Sequence, residues 1–135
     1  MLAFMGKIKE FCKGKRVYAV ANCGFFEGEQ TQLSFEVIRN WCVRYGLLWC
    51  GGVGIGASGC FEFFEKTGLD TGPRIPVNRA LEFLAENVSQ GTSQCNNYVT
   101  VMIPKRFYKF AGQLLWRQKL IKNGVKLKDI SRRVE

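Results

Sequence analysis

The stretch Arg16-Val-Tyr-Ala-Val-Ala21, closed by Asn22-Cys23-Gly24, decides the fold class. After Arg16 it is apolar without a break and carries β-branched and aromatic members. A strand with one wet face alternates apolar and polar residues, whereas a continuous apolar run is buried on both faces, as in parallel sheets. A polar loop through Glu27-Gly28-Glu29 leads to a helix expected from about Thr31 to Tyr45. Leu33, Val37, Ile38, Trp41, Cys42 and Tyr45 form its apolar stripe, Glu36, Arg39, Asn40 and Arg44 face away, and Gly46 suits its C-terminal cap. Leu47-Leu-Trp-Cys50 opens a second apolar run that passes into Gly51-Gly-Val-Gly-Ile-Gly56. Strand, helix and strand joined by such short links predict parallel pairing through right-handed crossovers.

Leu2, Met5, Ile8 and Phe11 or Cys12 fall at helical spacing before the first strand. After the glycine run, Pro76 marks a first turn, and Val77, Ala80, Leu81, Leu84 and Val88 share one face. Residues 89–97 read as a loop, and Tyr98-Val-Thr-Val-Met-Ile103 as one more short strand. Pro104 starts a basic helix reaching about Ile121, capped by Asn123-Gly124, and residues 125–135 read as a short amphipathic turn or helix carrying Leu127 and Ile130. The expected architecture is a three-layer α/β domain. Its parallel strands lie near 16–22 and 47–54, with a small strand near 98–103. Its helices lie near 2–12, 31–45, 76–88 and 104–121. Residues 1–103 form the domain, and 104–135 are a basic helical extension packed on it.

Composition narrows the chemistry. The 135 residues are 47% hydrophobic and 23% charged, which is one ordinary globular domain. With no histidine, Ser-His-Asp and Cys-His catalysis and histidine-ligated metal sites are excluded. Cys12, Cys23, Cys42, Cys50, Cys60 and Cys95 never form a Cys-x-x-Cys pair, so no metal site of that kind is expected. Met1 to Met5 is too short for a signal-peptide core, and the cysteines read as reduced thiols of a cytoplasmic protein. The net charge of +9 sits almost wholly in residues 101–135, which carry ten Lys/Arg against Asp129 and Glu135.

Gly54-Ile-Gly-Ala-Ser-Gly59 matches G-x-G-x-x-G after a strand. The bulky Cys60-Phe-Glu-Phe-Phe64 offers no capped helix start, however, and no acidic residue follows on a next strand. A turn-forming glycine loop is the preferred reading over a dinucleotide fingerprint. Asn22-Cys-Gly-Phe-Phe-Glu-Gly28 lies where a parallel strand ends, the edge at which open α/β sheets bind ligands. Phe25 and Phe26 could pack on a planar ligand or simply cover the sheet, and the residues alone leave these readings even. Cys23 reads as a passive, partly buried thiol. The basic helix places Arg106, Lys109, Gln113 and Arg117 opposite Phe107, Phe110, Ala111, Leu114 and Leu115. A solvated basic face is preferred there, with docking on anionic membrane or nucleic acid as the alternative.

The runs from Lys15 to Gln30 and Trp49-Cys-Gly-Gly-Val-Gly-Ile-Gly56 resemble the C-terminal half of flavodoxin-like NAD(P)H-dependent FMN reductases. Ile103-Pro-Lys-Arg-Phe-Tyr108, Trp116 and Asn123-Gly-Val-Lys-Leu-Lys-Asp129 resemble that group's C-terminal extension. The resemblance implies a partial flavodoxin-like fold, with FMN as cofactor and NAD(P)H as co-substrate. It implies a flavin-ring border at Asn22, Cys23, Gly24, Phe25, Phe26 and Glu27, and a second wall at Gly52, Gly54 and Gly56. No catalytic side chain and no metal ligand are expected. The family's phosphate-holding loop and first three strands have no counterpart here, so FMN binding by this chain alone is expected to be weak. The strand at 16–22 is then an open sheet edge, which predicts a homo-oligomer or a complementing chain. The competing expectation is a non-catalytic flavodoxin-like binding module whose basic tail meets an anionic partner.

Overall fold

The computed structural model describes residues 13–64 and 72–125, so the expected helix at 2–12, Cys12 and the segment beyond Val125 lie outside the described residues. The chain divides into two compact units, Met1–Met102 and Ile103–Glu135. The first is a mixed α/β unit around a parallel three-stranded sheet.

Strand β1 is Arg16–Asn22. A short 3-10 turn, Gly28–Thr31, leads into helix α1, Gln32–Tyr45. Gly46 ends that helix with φ 65°, a conformation glycine adopts at low cost. Strand β2 is Leu48–Ile55, followed by a 3-10 segment, Ser58–Phe64. Helix α2 is Ile75–Gln90, with proline in its first turn and Gly91 as its left-handed cap. Strand β3 is Asn97–Val99, shorter than the run at 98–103 predicts. Pairing stops there because β2, its partner, ends at Ile55 opposite Val99, and beyond it the Thr100 hydroxyl donates to the Phe26 carbonyl, 2.7 Å away. The Met102 amide then bonds the Pro73 carbonyl at 2.7 Å.

The order is β1-β2-β3, and both pairings are parallel. Register runs Ala19 to Gly52, Ala21 to Gly54 and Asn22 to Ile55, after a shift between Val17 and Ala19. Phe35 of α1 lies over the Gly52 position and against the rings of Trp49 and Tyr98, which places α1 on the face of Ala19, Gly52 and Gly54. Tyr18 points to the other face, where its hydroxyl donates to the carbonyls of Asn87 and Thr92 at the end of α2. Between the layers lie Val53 and Ile55 from β2, beside Val77, Ala80 and Leu84 from α2. The layers are therefore α1, sheet and α2. Both steps of the strand order run the same way across the sheet, so helices on opposite faces give crossovers of opposite hand. The expectation of right-handed crossovers holds for only one of them.

The stripe expected for α1 is shifted in phase. Phe35 and Cys42 are buried, Ile38, Trp41 and Tyr45 are half-buried, and Leu33 and Val37 are exposed. In the second unit, helix α3 is Lys105–Lys122, starting after Pro104 in extended conformation.

Candidate functional site

All three strands run the same way, so the segments after Asn22, Ile55 and Val99 leave the sheet at one edge. They are tied together there almost wholly through backbone. The Cys23 amide donates to the Ile55 carbonyl at 2.9 Å, and the Ser58 amide donates back to the Cys23 carbonyl at 3.1 Å. The Ser58 hydroxyl joins the same carbonyl at 2.9 Å. The Ala57 amide donates to Phe25, and the Gly56 amide to the Val99 carbonyl at 2.9 Å. The Cys23 thiol points inward to the Glu27 carbonyl at 3.5 Å, in keeping with a passive role. Ala57 holds φ 54° with its side chain fully buried, an uncommon conformation for a non-glycine residue. That backbone strain is stored at the rim of the edge.

The structure brings the expected residues into two groups. Asn22, Gly24 and Phe25 are exposed, with Phe25 67% accessible, while Cys23, Phe26 and Glu27 are half-buried. Gly52, Gly54 and Gly56 are buried, and each lies under protein atoms. A β-carbon on Gly52 would meet the Ala19 carbonyl and the Phe35 ring. On Gly54 it would strike the Thr31 hydroxyl and Tyr98, and on Gly56 the backbone from Phe26 to Gly28. These glycines let helix, turn and loop approach the strand closely. Sequence reasoning missed Ser58, Ala57 and Thr100, which fix the loop. Ser58 was visible inside the glycine motif, but nothing marked Thr100.

A flavin mononucleotide makes two demands on such an edge. The flat ring needs an apolar surface, which the exposed Phe25 beside Gly24 offers. The phosphate needs free amides or a cation. The amides of Cys23, Gly56, Ala57 and Ser58 already donate to backbone carbonyls. Residues 17–38, 45–65 and 92–104 contain no Lys or Arg. An exposed aromatic surface is thus present at this edge, and those four amides are not available to a phosphate. Among the described residues no cluster of three His, Cys, Asp or Glu could hold a metal, and no helix is long and apolar enough to cross a membrane.

The thiols make a separate prediction. Cys95 is exposed, Cys23 is half-buried, and Cys42, Cys50 and Cys60 are buried, all unpaired. Burial pushes the Cys42 and Cys60 thiols up from their ordinary 9.0, with Cys50 adding to the effect at Cys42. A raised thiol pKa means the folded chain holds its protons more tightly than the unfolded one. Its stability contribution is full below about pH 9 and is lost as pH rises beyond it. Among the described cysteines, iodoacetamide mapping at pH 8.5 should label Cys95 first and Cys23 next. Cys42 and Cys60 should react only on unfolding, and labelling of either at the rate of Cys95 in folded protein would contradict the burial. Comparison of the chain with protein-family models, with curated proteins and with solved structures finds no match.

Proposed function

We propose that the chain belongs to a flavin-dependent NAD(P)H oxidoreductase of the FMN-reductase kind, with Asn22–Glu27 bordering the ring of FMN. The observation that carries this reading is the fastening of the Cys23–Gly28 and Gly56–Ser58 segments at one sheet edge with Phe25 left exposed beside them. The flavodoxin-like strand order 2-1-3-4-5 ends in two adjacent parallel strands, as β1 and β2 are adjacent and parallel here. In that order the helix after the last strand has no further strand to reach, whereas here α2 crosses over to β3 on the opposite face. On this reading β3 is a short addition beyond the usual edge. When bound, the flavin supplies hydride chemistry, and this chain's part is to position the ring.

The phosphate anchor is then provided by a second subunit or a complementing chain. β1 ends the described sheet, and its Val20 is 54% exposed on an otherwise apolar strand. Association along β1, as a homo-oligomer or with a complementing strand, would cover that edge. Unpaired thiols agree with a reducing, cytoplasmic setting. The second reading, a non-catalytic binding module, is favoured by the four edge amides that already donate to backbone carbonyls.

Titration of FMN into protein whose mass has been fixed by light scattering separates the two. Ring contact alone adds only ~1 kcal/mol per aromatic pair beyond burial, so a monomer should bind FMN no tighter than high micromolar. Flavin fluorescence quenching should weaken at least threefold in Phe25→Ala, which remains folded because the side chain is exposed. Submicromolar binding by a monomer would refute the anchoring argument. Binding unaltered in Phe25→Ala would refute the ring site.

A further inference from the structure

We infer that α3 is an interfacial helix that docks on an anionic lipid surface. This inference stands apart from the flavin reading, since every residue it uses lies in the second unit. From residue 103 to residue 125 the chain has six Lys/Arg and no acidic residue. At 3.6 residues per turn, Phe107, Phe110, Leu114 and Ile121 fall within an arc of roughly 60°. All four are 48–66% exposed, and no residue of α3 is buried. Ala111, Leu115 and Tyr108 extend this side beyond Phe107, and Gln118 and Lys122 fall among them. Lys105, Arg106, Lys109, Arg117 and Lys119, with Gln113, occupy the rest of the circumference. Trp116 and Leu120 fall among these cations.

Two demands have to be met together. Four large apolar side chains in water need a nonpolar medium, and a helix without a single acidic residue needs an anionic one. A nucleic-acid backbone meets the second demand and leaves the phenylalanines wet. An anionic bilayer meets both, with the apolar stripe entering the acyl boundary and the cations at the headgroups. Phenylalanine on one side and lysine and arginine on the other is the composition this mode of binding uses. The sequence reading preferred a solvated basic face because amphipathicity alone separates nothing. The exposure of the apolar side as well as the basic side shifts that preference. Helical length agrees, since 18 residues lying flat present five turns to the surface.

Co-sedimentation of the full chain with vesicles tests this. Vesicles of 30% phosphatidylglycerol in phosphatidylcholine should pull the protein down. Pure phosphatidylcholine should bind it at least tenfold more weakly, because each cation near an anionic surface is worth about a fivefold change. Phe107→Ser with Leu114→Ser leaves the charge unchanged and should weaken binding more than tenfold. Phe107→Leu with Leu114→Met keeps the apolar stripe and should restore it. Lys105→Gln with Lys109→Gln should weaken binding by about twenty-fivefold while leaving the stripe intact. Circular dichroism checks that each variant keeps its helix content. Undiminished binding by the serine variant would overturn the proposal, since the attraction would then be purely electrostatic. Retention of duplex DNA with no retention of anionic vesicles would overturn it as well, as would equal binding to neutral and anionic vesicles.

Discussion

Replacement of Gly56 by alanine is expected to cost about 3 kcal/mol of folding stability. The cost is steric. Gly56 has no left-handed φ, so its backbone conformation is open to any residue. Its β-carbon, however, would strike the Phe26 carbonyl oxygen and lie 2.7 Å from Glu27 C and Gly28 N. Those are backbone atoms, and no rotamer change can move them aside. Relief requires the loop to lift from β2. That would break the hydrogen bond from Ala57 to Phe25 and loosen the one from Thr100 to Phe26. Gly24 in the same loop supplies the control. A β-carbon there meets nothing within 4 Å, and Gly24→Ala should fall within about 0.5 kcal/mol of the parent. Urea unfolding of the three proteins reads both values. A Gly56→Ala midpoint matching that of Gly24→Ala would show that the loop is not seated as described.

The same pair of positions shows where sequence reading stops. Glycine serves a ligand that must come close and a backbone that must come close in the same way, by lacking a side chain. The ligand wall that the family resemblance implied at Gly52, Gly54 and Gly56 could therefore equally be a place of close backbone packing. Only their neighbours reveal that Phe35, Thr31 with Tyr98, and the Phe26–Gly28 backbone fill those places. The strands were legible for a different reason, since an unbroken apolar run such as 17–21 favours extended chain, but the burial on both faces expected of it is not met: no residue of β1 is buried. The end of α1 was legible too, since Gly46 stands at a left-handed cap where another residue would be strained, but α2 runs two residues past its expected end at 88, to Gln90, and Gly91, read as part of a loop, is its cap. Strand β3 was overestimated because the apolar run at 98–103 says nothing of where its partner ends, and β2 stops at Ile55 opposite Val99. Crossover hand was misjudged for a related reason. Strand order and helix face depend on contacts between distant segments, which periodicity does not encode.

Phe35→Ala should be the most damaging single truncation, with a loss of about 3–5 kcal/mol. Sequence periodicity passed over this residue, because Leu33 and Val37 form an equally regular stripe at another phase of the helix. The structure resolves the tie through Gly52. The notch left by that missing side chain admits the Phe35 ring, whose edge atoms lie 3.0 and 3.1 Å from where a β-carbon would stand. The ring also tilts against Trp49 with centroids 5.8 Å apart and against Tyr98 at 5.9 Å. One side chain, 1% exposed, thus joins α1 to β2 and β3. Alanine removes the transfer free energy of the ring and leaves a cavity. Gly52 cannot fill that cavity, since an added methyl there would meet the Ala19 carbonyl at 2.6 Å. Against a total stability of roughly 5–15 kcal/mol, such a loss approaches the whole margin. It should appear as a fall in Tm of roughly 10 °C or more. Leu33→Ala, on the exposed stripe, should change Tm by less than about 3 °C. Phe35→Leu keeps most of the volume and should fall between the two. Equal effects of Phe35→Ala and Leu33→Ala would mean that α1 meets the sheet at the other phase.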